Sequence, residues 1–535
     1  MFSEKILIIF EKIKRYSFLI GVFYLLYVFS AYFNTCDWDL WARLAVGSIF
    51  FQTGKVLPHD IFAYTQTKLM WIDHEWGSGV IFYFLTKHFG DAGLLLLKFS
   101  ILIFIWFFVF KIIQSHINDV DKTSHKDPYR LSYFILFFYS IMPAFTSNVR
   151  SQCFTYLFFA IWLFLLEEVR SGNNKKYIYF VFILIMLIWA NVHGGFIAGL
   201  GITLAYGLGE FLSKKKWKEY LLILCSSTFI TVINPYGIAY WTFLFSAVSM
   251  KRPYIKEWWP FNPFGPINEL IGFKIFLVLT AISIIYIFIK RRKNIRWGEL
   301  FILAFTAFMA FKHVRHSIFF IIASASYIYY YLYPALDLLS FSIIERFYNL
   351  FNIKIRTVGK WLRDIFLYSL IILIGLFSYI LFPLKLKVNM ARFPANSVKF
   401  IQINHLSGNL LVLFNWGSYA LWKLYPQCLI AVDGRYEEVY PPETIDDVAK
   451  FHYQLNGWKG LLEKYHTDFM LIPLEYGKLM DSLLKLKDWK LIYVDEQAAI
   501  FAPKSFYKKL IRPSQKFDPD KEKYNSKINT CFSKK

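Results

Sequence analysis

The feature that most constrains this chain is its series of long apolar runs. About 20 consecutive apolar residues cross the hydrocarbon core of a bilayer. Such runs fall near 17–33, 91–113, 131–147, 153–169, 176–191, 195–213, 219–234, 270–289, 297–311, 315–334 and 364–383. About 11 transmembrane helices are therefore predicted, in an α-helical polytopic membrane protein. Composition agrees: of 535 residues, 56% are hydrophobic and 18% charged. A mean hydropathy of +0.40 excludes a disordered chain and a purely soluble one. The net charge of +23 would suggest nucleic acid in a soluble protein. In a membrane protein it marks cytoplasmic loops, which collect Lys and Arg, so no nucleic acid partner is expected. The five cysteines contain no CxxC pair and imply neither a zinc knuckle nor a disulfide framework.

Charge also orients the chain. Lys5, Lys12, Lys14 and Arg15 precede the first run, which has no small-residue cleavage site and reads as a signal anchor. The N-terminus is then cytoplasmic. Alternation puts 111–130, 170–176, 214–218, 290–296 and 341–363 on the same side; with the N-terminal four they carry 25 basic residues. The opposite loops before residue 384 carry ten. The expected localisation is the cytoplasmic (inner) membrane, with everything after residue 384 periplasmic or extracellular.

The transmembrane part is expected over 1–383. Residues 34–90 form a first outer loop, in which 39–53 and 75–88 read as amphipathic helices on the membrane surface, the first ended by Gly54. Beyond it the texture changes. Short strands near 409–414, 428–432, 468–472, 489–494 and 498–502 alternate with helical stretches, so 384–502 is predicted to be a small C-terminal α/β soluble domain. The tail 503–535 is Lys-rich and poor in large apolar residues, as disordered segments are.

The polar residues that are hardest to dismiss all fall at outer ends of spans. They are Asp37 and Asp39, His74 and Glu75, Arg150 and Gln152, Asn191 and His193, Asn234, Glu257, and Arg315 and His316. Ionisable groups near membrane depth are costly and usually serve a site. Their gathering on one face predicts a single polar cavity. Each also has a plainer reading. Asp37 and Asp39 are either helix caps or hard oxygen ligands for a divalent cation, Mg or Mn. His74 and Glu75 could be a surface pair. Arg150 and Arg315 either snorkel to lipid phosphate or clamp a substrate phosphate. Asn191 and His193 precede Gly194-Gly195, where a structural His is common, and Asn234 opens an NPYG turn. Trp38, Trp41, Trp71, Trp76, Trp258 and Trp259 form an interfacial belt or stack on sugars. Asp433-Gly434-Arg435 is a turn with a salt-bridged Arg or a ligand contact after a strand.

The stretch CDWDLWARLAVGSIFFQTGKVLPHDIFAYT…WIDHEWGSGVIFYFLTKHFGDAGLLLLK resembles the first outer loop of the GT-C superfamily of membrane glycosyltransferases. That class includes protein O-mannosyltransferases, lipid A aminoarabinose transferases and oligosaccharyltransferase catalytic subunits. Asp39-Leu40-Trp41-Ala42-Arg43-Leu44-Ala45 is similar to its acidic start, and Gly54 through Pro58 to the loop that follows. Glu75-Trp76 stands where the transferases often carry Pro-Pro. Further pieces, VRSQCF, WANVHGG, NPYG, EWW, RH and NWGSYALW…VDGRY, resemble bacterial members whose acceptor is unassigned. Two departures stand out. Asp39 is followed by Leu40 and not by a second acid, and Glu257-Trp258-Trp259-Pro260 does not match the WWD-type motif, so N-glycosylation of sequons is not implied.

The resemblance implies a sugar transferred on the outer face from a polyprenyl-phosphate or -pyrophosphate donor to a glycan, lipid or protein acceptor. Asp39, with Asp37 or Glu75, would be the catalytic carboxylate. His74, Arg150, Gln152, Asn191, His193, Glu257, Arg315 and His316 would bind substrate, and membrane lipid would surround the spans. The rival expectation is a non-enzymatic transporter or envelope-glycan assembly factor on the same scaffold.

Overall fold

A computed structural model describes residues 16, 18–28, 30, 34–120, 131–145, 149–172, 176–250, 255–266, 269–290, 295–350, 386 and 392–505. The expected span 364–383, the N-terminal basic cluster and the tail beyond 505 lie outside these residues. The described helices are α1 (Phe18–Val28), α2 (Leu40–Thr53), α3 (Trp76–Val120), α4 (Leu131–Ile141), α5 (Gln152–Arg170), α6 (Tyr177–Val192), α7 (Ile197–Leu212), α8 (Trp217–Ile230), α9 (Ala239–Ser249), α10 (Ile271–Lys290), α11 (Trp297–Lys312) and α12 (Ser317–Leu350). Among the described residues, four stretches are long and apolar enough to cross a membrane: Trp76–Asn118, Gln152–Arg170, Gly194–Leu212 and Ile271–Ile289. Among the others, α6 and α11 run 16 residues each and stop where the chain turns. His193 and His313 both turn extended, and each is followed by a single 3-10 turn that starts the next helix.

Gly90 makes α3 two helices in one. Its φ of 62° and ψ of −151° kink the helix, so 76–89 forms one arm and the apolar run from 91 another. Glycine adopts such a conformation without the Cβ penalty.

Helix α2 departs from the expectation for 39–53. It does not lie open on the membrane. Leu40 through Ile49 are all buried, Arg43 and Ser48 included. Gly47 lets α2 cross α3 in backbone contact, since a Cβ there would lie 2.1 Å from the carbonyl oxygen of Gly79. The opposite side is covered by the C-terminal domain, where Trp41 meets Tyr419 edge-on at 5.2 Å and Phe393 at 5.7 Å. A helix covered on two sides has no wet face to fill with polar residues. Trp41 and Trp71 are fully buried, so they do not belong to an interfacial belt. Helix α9 was not anticipated: its 11 residues are too few for a span and follow the NPYG turn.

Residues 395–503 form a five-stranded sheet flanked by helices. Its strands are β1 (Gly408–Val412), β2 (Cys428–Ile430), β3 (Phe469–Pro473), β4 (Trp489–Val494) and β5 (Ala498–Pro503), in the order β2-β1-β3-β5-β4. The β2, β1 and β3 strands are parallel; β5 and β4 join antiparallel. The first long loop adds to this sheet. Ala63 bridges Ile430, and Tyr64 N–H donates to the Ile430 carbonyl at 3.1 Å.

A buried cation fastens the junction. Arg435 pairs with Asp433 at 2.6 Å and with Asp60 of the loop. Its guanidinium stacks over Trp71 at 4.7 Å and Phe62 at 4.9 Å. The Asp433-Gly434-Arg435 turn is thus a structural clamp. Breaking a buried pair of this kind costs about 3–5 kcal/mol.

Candidate active site

Between the domain-bearing end of the bundle and the C-terminal domain lies a cavity of about 830 Å³. One wall is apolar, built from α7, α9, α11 and α12 (Phe243, Leu244, Val248, Phe305, Phe308 and Phe319 among them). The polar residues enter where helices start or break. Asp39 opens α2, His74 and Glu75 precede α3, Arg150 precedes α5, and His193 and Arg315 sit in the two corners just described.

Arg150 organises the first cluster. Its Nε lies 3.1 Å from Asp37 Oδ1, one terminal nitrogen 2.9 Å from Asp39 Oδ2, and the other 3.0 Å from Glu257 Oε2. Glu257 also meets Arg315 at 3.3 Å, and Arg315 donates to Gln152 Oε1 at 2.9 Å and lies over the Trp258 ring at 4.5 Å. The Arg150 guanidinium stands between the two aspartates, in the place the ligand reading gives to a divalent cation. The capping alternative divides between them. Asp37 Oδ1 accepts the Asp39 N–H at 3.0 Å, whereas Asp39, although at the N-cap position, makes no side-chain cap bond. Its side chain is 40% exposed to the cavity.

The second cluster joins the first loop to the C-terminal domain. Arg43 Nε meets Glu75 Oε2 at 2.9 Å, and its terminal nitrogens bind Asp73 and Glu438. His74 Nδ1 lies 3.0 Å from Glu438 Oε1. Behind Glu75 runs a chain of hydrogen bonds. Trp189 Nε1–H donates to Thr155 Oγ1 at 2.9 Å, Thr155 reaches His193 Nδ1 at 2.9 Å, and the Gly195 N–H donates to the same nitrogen at 2.8 Å. Since Nδ1 accepts, the neutral ring carries its proton on Nε2, which faces Glu75 Oε1 at 3.3 Å. His193 is thus held as a donor to Glu75.

These surroundings separate the two candidate bases. Confinement by protein, reinforced by Asp37 and Glu75 and opposed by Arg150, raises the Asp39 carboxyl to about 7. Burial works against charge on Glu75 too, but Arg43, His193 and His74 outweigh it and hold that carboxyl well below its usual range. Burial likewise disfavours a charged His74, yet Glu438 and Glu75 prevail and raise it to about 9.

His74, Glu75 and His193 bring three donor atoms within 4.8 Å of one another, which raises the question of a metal. Two imidazoles and one carboxylate suit a transition metal better than Mg, a hard ion that takes oxygen. His74 has the carboxylate partner that metal-bound histidines usually have, in Glu438. His193 does not fit. Its lone pair is on Nδ1, engaged by Gly195 and Thr155, so its Nε2 offers a proton and no ligand electrons. The cluster is built for hydrogen bonding, not for three-ligand coordination.

Of the residues singled out in the sequence, Asp39, His74, Glu75, Arg150, Gln152, His193, Glu257, Arg315 and His316 line this one cavity, with Asp37 behind Arg150. Asn191 does not join them. Its amide donates to the carbonyls of Leu187 and Ile233 at 2.9 Å and lines a separate groove beside Trp76. Asn234 forms its turn, accepting from Tyr236 N–H at 2.7 Å. Sequence reasoning missed Arg43, Asp73 and Glu438. Arg43, a lone charge inside LWARLAV, was the one visible signal. Gly434 packs on Asp39 so closely that a Cβ there would lie 2.7 Å from Oδ1.

No family model and no curated protein sequence matches this chain. Solved structures do match. The apo oligosaccharyltransferase of Archaeoglobus fulgidus aligns with a TM-score of 0.52 at 12% identity over 88% of this chain and 71% of its own. The same enzyme tethered to an acceptor peptide containing an NVT sequon gives 0.51, 11%, 86% and 69%. ArnT from Cupriavidus metallidurans bound to undecaprenyl phosphate gives 0.50, 10%, 90% and 97%. The chain has a GT-C-like polytopic helical membrane fold with a small C-terminal sheet.

Proposed function

We propose that this GT-C-like protein transfers a sugar from a polyprenyl-phosphate or -pyrophosphate donor to an acceptor at the membrane surface. One observation carries the reading: a single cavity joins an apolar wall, a cationic rim and a carboxylate of raised basicity. The wall of α7, α9 and α11 suits a prenyl chain. Undecaprenyl phosphate bound to ArnT, a protein of the same fold, supports that donor class. Arg315, Lys256 and Lys312 line the rim, and their charge would meet the phosphate as it leaves. Arg150 is taken up by three carboxylates and acts as a positioning residue for Asp39.

In the proposed step an acceptor hydroxyl gives its proton to Asp39 while its oxygen bonds to the anomeric carbon. The bond from that carbon to the phosphate oxygen breaks, and the phosphate keeps the electron pair. A single displacement inverts the centre. Glu75, already stabilised as a carboxylate, is the weaker base and fixes Arg43, His74 and His193. No step is assigned to a metal, because His193 offers none a lone pair.

The test is consumption of undecaprenyl-phosphate-linked sugars by membranes containing the protein. Turnover by wild type and its loss in Asp39→Asn support the reading. No consumption by wild type would favour the transporter or assembly-factor alternative. The reading also requires the C-terminal domain to face away from the cytoplasm, on the periplasmic or extracellular side. A reporter fused after residue 384 that reads cytoplasmic would overturn that orientation.

A further inference from the structure

The wall that the C-terminal domain gives to the cavity contains a nitrogen with nothing to bind. His452 lies in the last turn of the helix Pro442–Tyr453, lines the cavity and is 2% exposed. Its Nδ1 is 3.0 Å from the carbonyl oxygen of Val448. A carbonyl only accepts, so Nδ1 carries the proton and Nε2 the lone pair. Among the described residues nothing meets Nε2. Burial keeps the ring neutral, pushing its pKa down to about 4. Buried polar atoms are normally paired, and one left over needs an explanation.

The surroundings say what would pair with it. Tyr476 stands 6.2 Å from the His452 ring and 6.0 Å from the Tyr453 ring. Tyr436 is held at a φ of 34°, which side-chain-bearing residues seldom adopt, and its ring is part of the same wall. Asn415 and Ser418 add neutral hydrogen-bonding groups. The acid on this wall, Glu438, is committed to Arg43 and His74. A neutral acceptor among aromatic rings calls for neutral donors on an apolar frame, as the hydroxyls and C–H faces of a sugar ring supply. A peptide adding as a strand is disfavoured, because the β2 edge near the cavity already pairs with Ala63.

We propose that the C-terminal domain carries a carbohydrate-binding subsite in this wall, with His452 Nε2 accepting from a sugar hydroxyl and the packed pair Tyr453 and Tyr476 beside the sugar ring. It rests on the transferase reading only for its role as the acceptor side. The binding itself does not require turnover.

The full chain in lipid nanodiscs would be titrated with methyl glycosides of glucose, galactose, mannose and N-acetylglucosamine, followed by saturation-transfer NMR. Acetyl-serine amide and dihexanoyl phosphatidylethanolamine are run in parallel. At least one glycoside should bind. His452→Phe, which keeps a ring but removes the acceptor, should weaken its Kd by about tenfold, the scale of one lost hydrogen bond. His452→Gln, which retains an acceptor oxygen, should weaken it less. Tyr476→Leu should weaken it too, and reads the same wall if His452→Phe fails to fold. Glycoside binding is read without turnover, so wild type that binds a glycoside but consumes no lipid-linked sugar would fail the transferase reading and not this one. Equal glycoside binding by the folded His452→Phe protein would overturn the subsite. So would no glycoside binding at millimolar concentration, as expected if an ordered water serves Nε2, or preference for the serine or lipid probe.

Discussion

Both ends of the helical bundle gather buried charge, and among the described residues the domain-bearing end leaves far more space around it. At the opposite end, Glu167 accepts from Arg170 and from the Tyr206 hydroxyl, each at 2.5 Å. Arg296 pairs with Glu299 at 2.9 Å and lies 3.9 Å from Glu167, and His116 is 3.6 Å from Glu299. Helix α5 connects the two ends, with Arg150 just before its start and Arg170 as its last residue. Nineteen residues separate them by about 28 Å. The pocket beside Arg296 and Glu299 holds about 10 Å³, room for one water at most. The near cluster faces about 830 Å³. A charge cluster alone thus does not mark a site. What marks one is room, and groups such as Asp39 that remain open to it.

The sharpest way to break this comparison is to neutralise one acid at each end. Asp39→Asn should lower turnover of a lipid-linked sugar by about 10²–10⁴-fold with expression unchanged, as expected for a lost general base. Glu167→Gln should do the reverse: turnover per folded molecule stays at the wild-type level, while thermal unfolding in detergent shows a loss of about 3 kcal/mol from a buried pair left incomplete. If Glu167→Gln abolished turnover in folded protein, the functional difference between the ends would disappear.

A pH profile sharpens it further. With the Asp39 carboxyl near 7, the basic form is present above that pH and lost below it. Turnover should therefore fall about tenfold per unit on the acid side of pH 7. Because Arg150 lowers the Asp39 pKa, Arg150→Gln should move the limb to higher pH. A limb that stays in place, or lies near 4, would separate Asp39 from the proton transfer.

The smallest expected effect tests contact alone. Gly434→Ala places a methyl against Asp39 Oδ1. Its backbone is not in the left-handed region, so the fold should tolerate the change. Turnover should fall by about three- to tenfold through misplacement of the carboxylate. Gly477→Ala, which meets nothing within 4 Å, is the control and should be silent.

Much of the fold was legible because hydropathy is a local sum. Twenty apolar residues mark a span wherever the rest of the chain goes, and Gly54 announces where the first loop helix stops. The α9 helix escaped because 11 residues give that sum too little length. The burial of α2 escaped because its cover, Tyr419 and Phe393, comes from more than 350 positions away. Asn191 was misplaced for a related reason. His193, two residues on, lines the cavity, but Asn191 is still within α6 and faces the groove beside Trp76.

By itself the sequence determined that this chain is a membrane bundle with a small α/β appendage, and which polar residues stand at the ends of its spans. Tertiary structure decided what those residues do. It set Arg150 between Asp37 and Asp39, spent the lone pair of His193 on Gly195 and Thr155, and brought Glu438 to Arg43 across 395 positions. The physical reason is range. Burial of apolar runs is fixed by composition within each helix, whereas the charge and proton state of a side chain depend on groups a few ångströms away that the chain supplies from anywhere along its length.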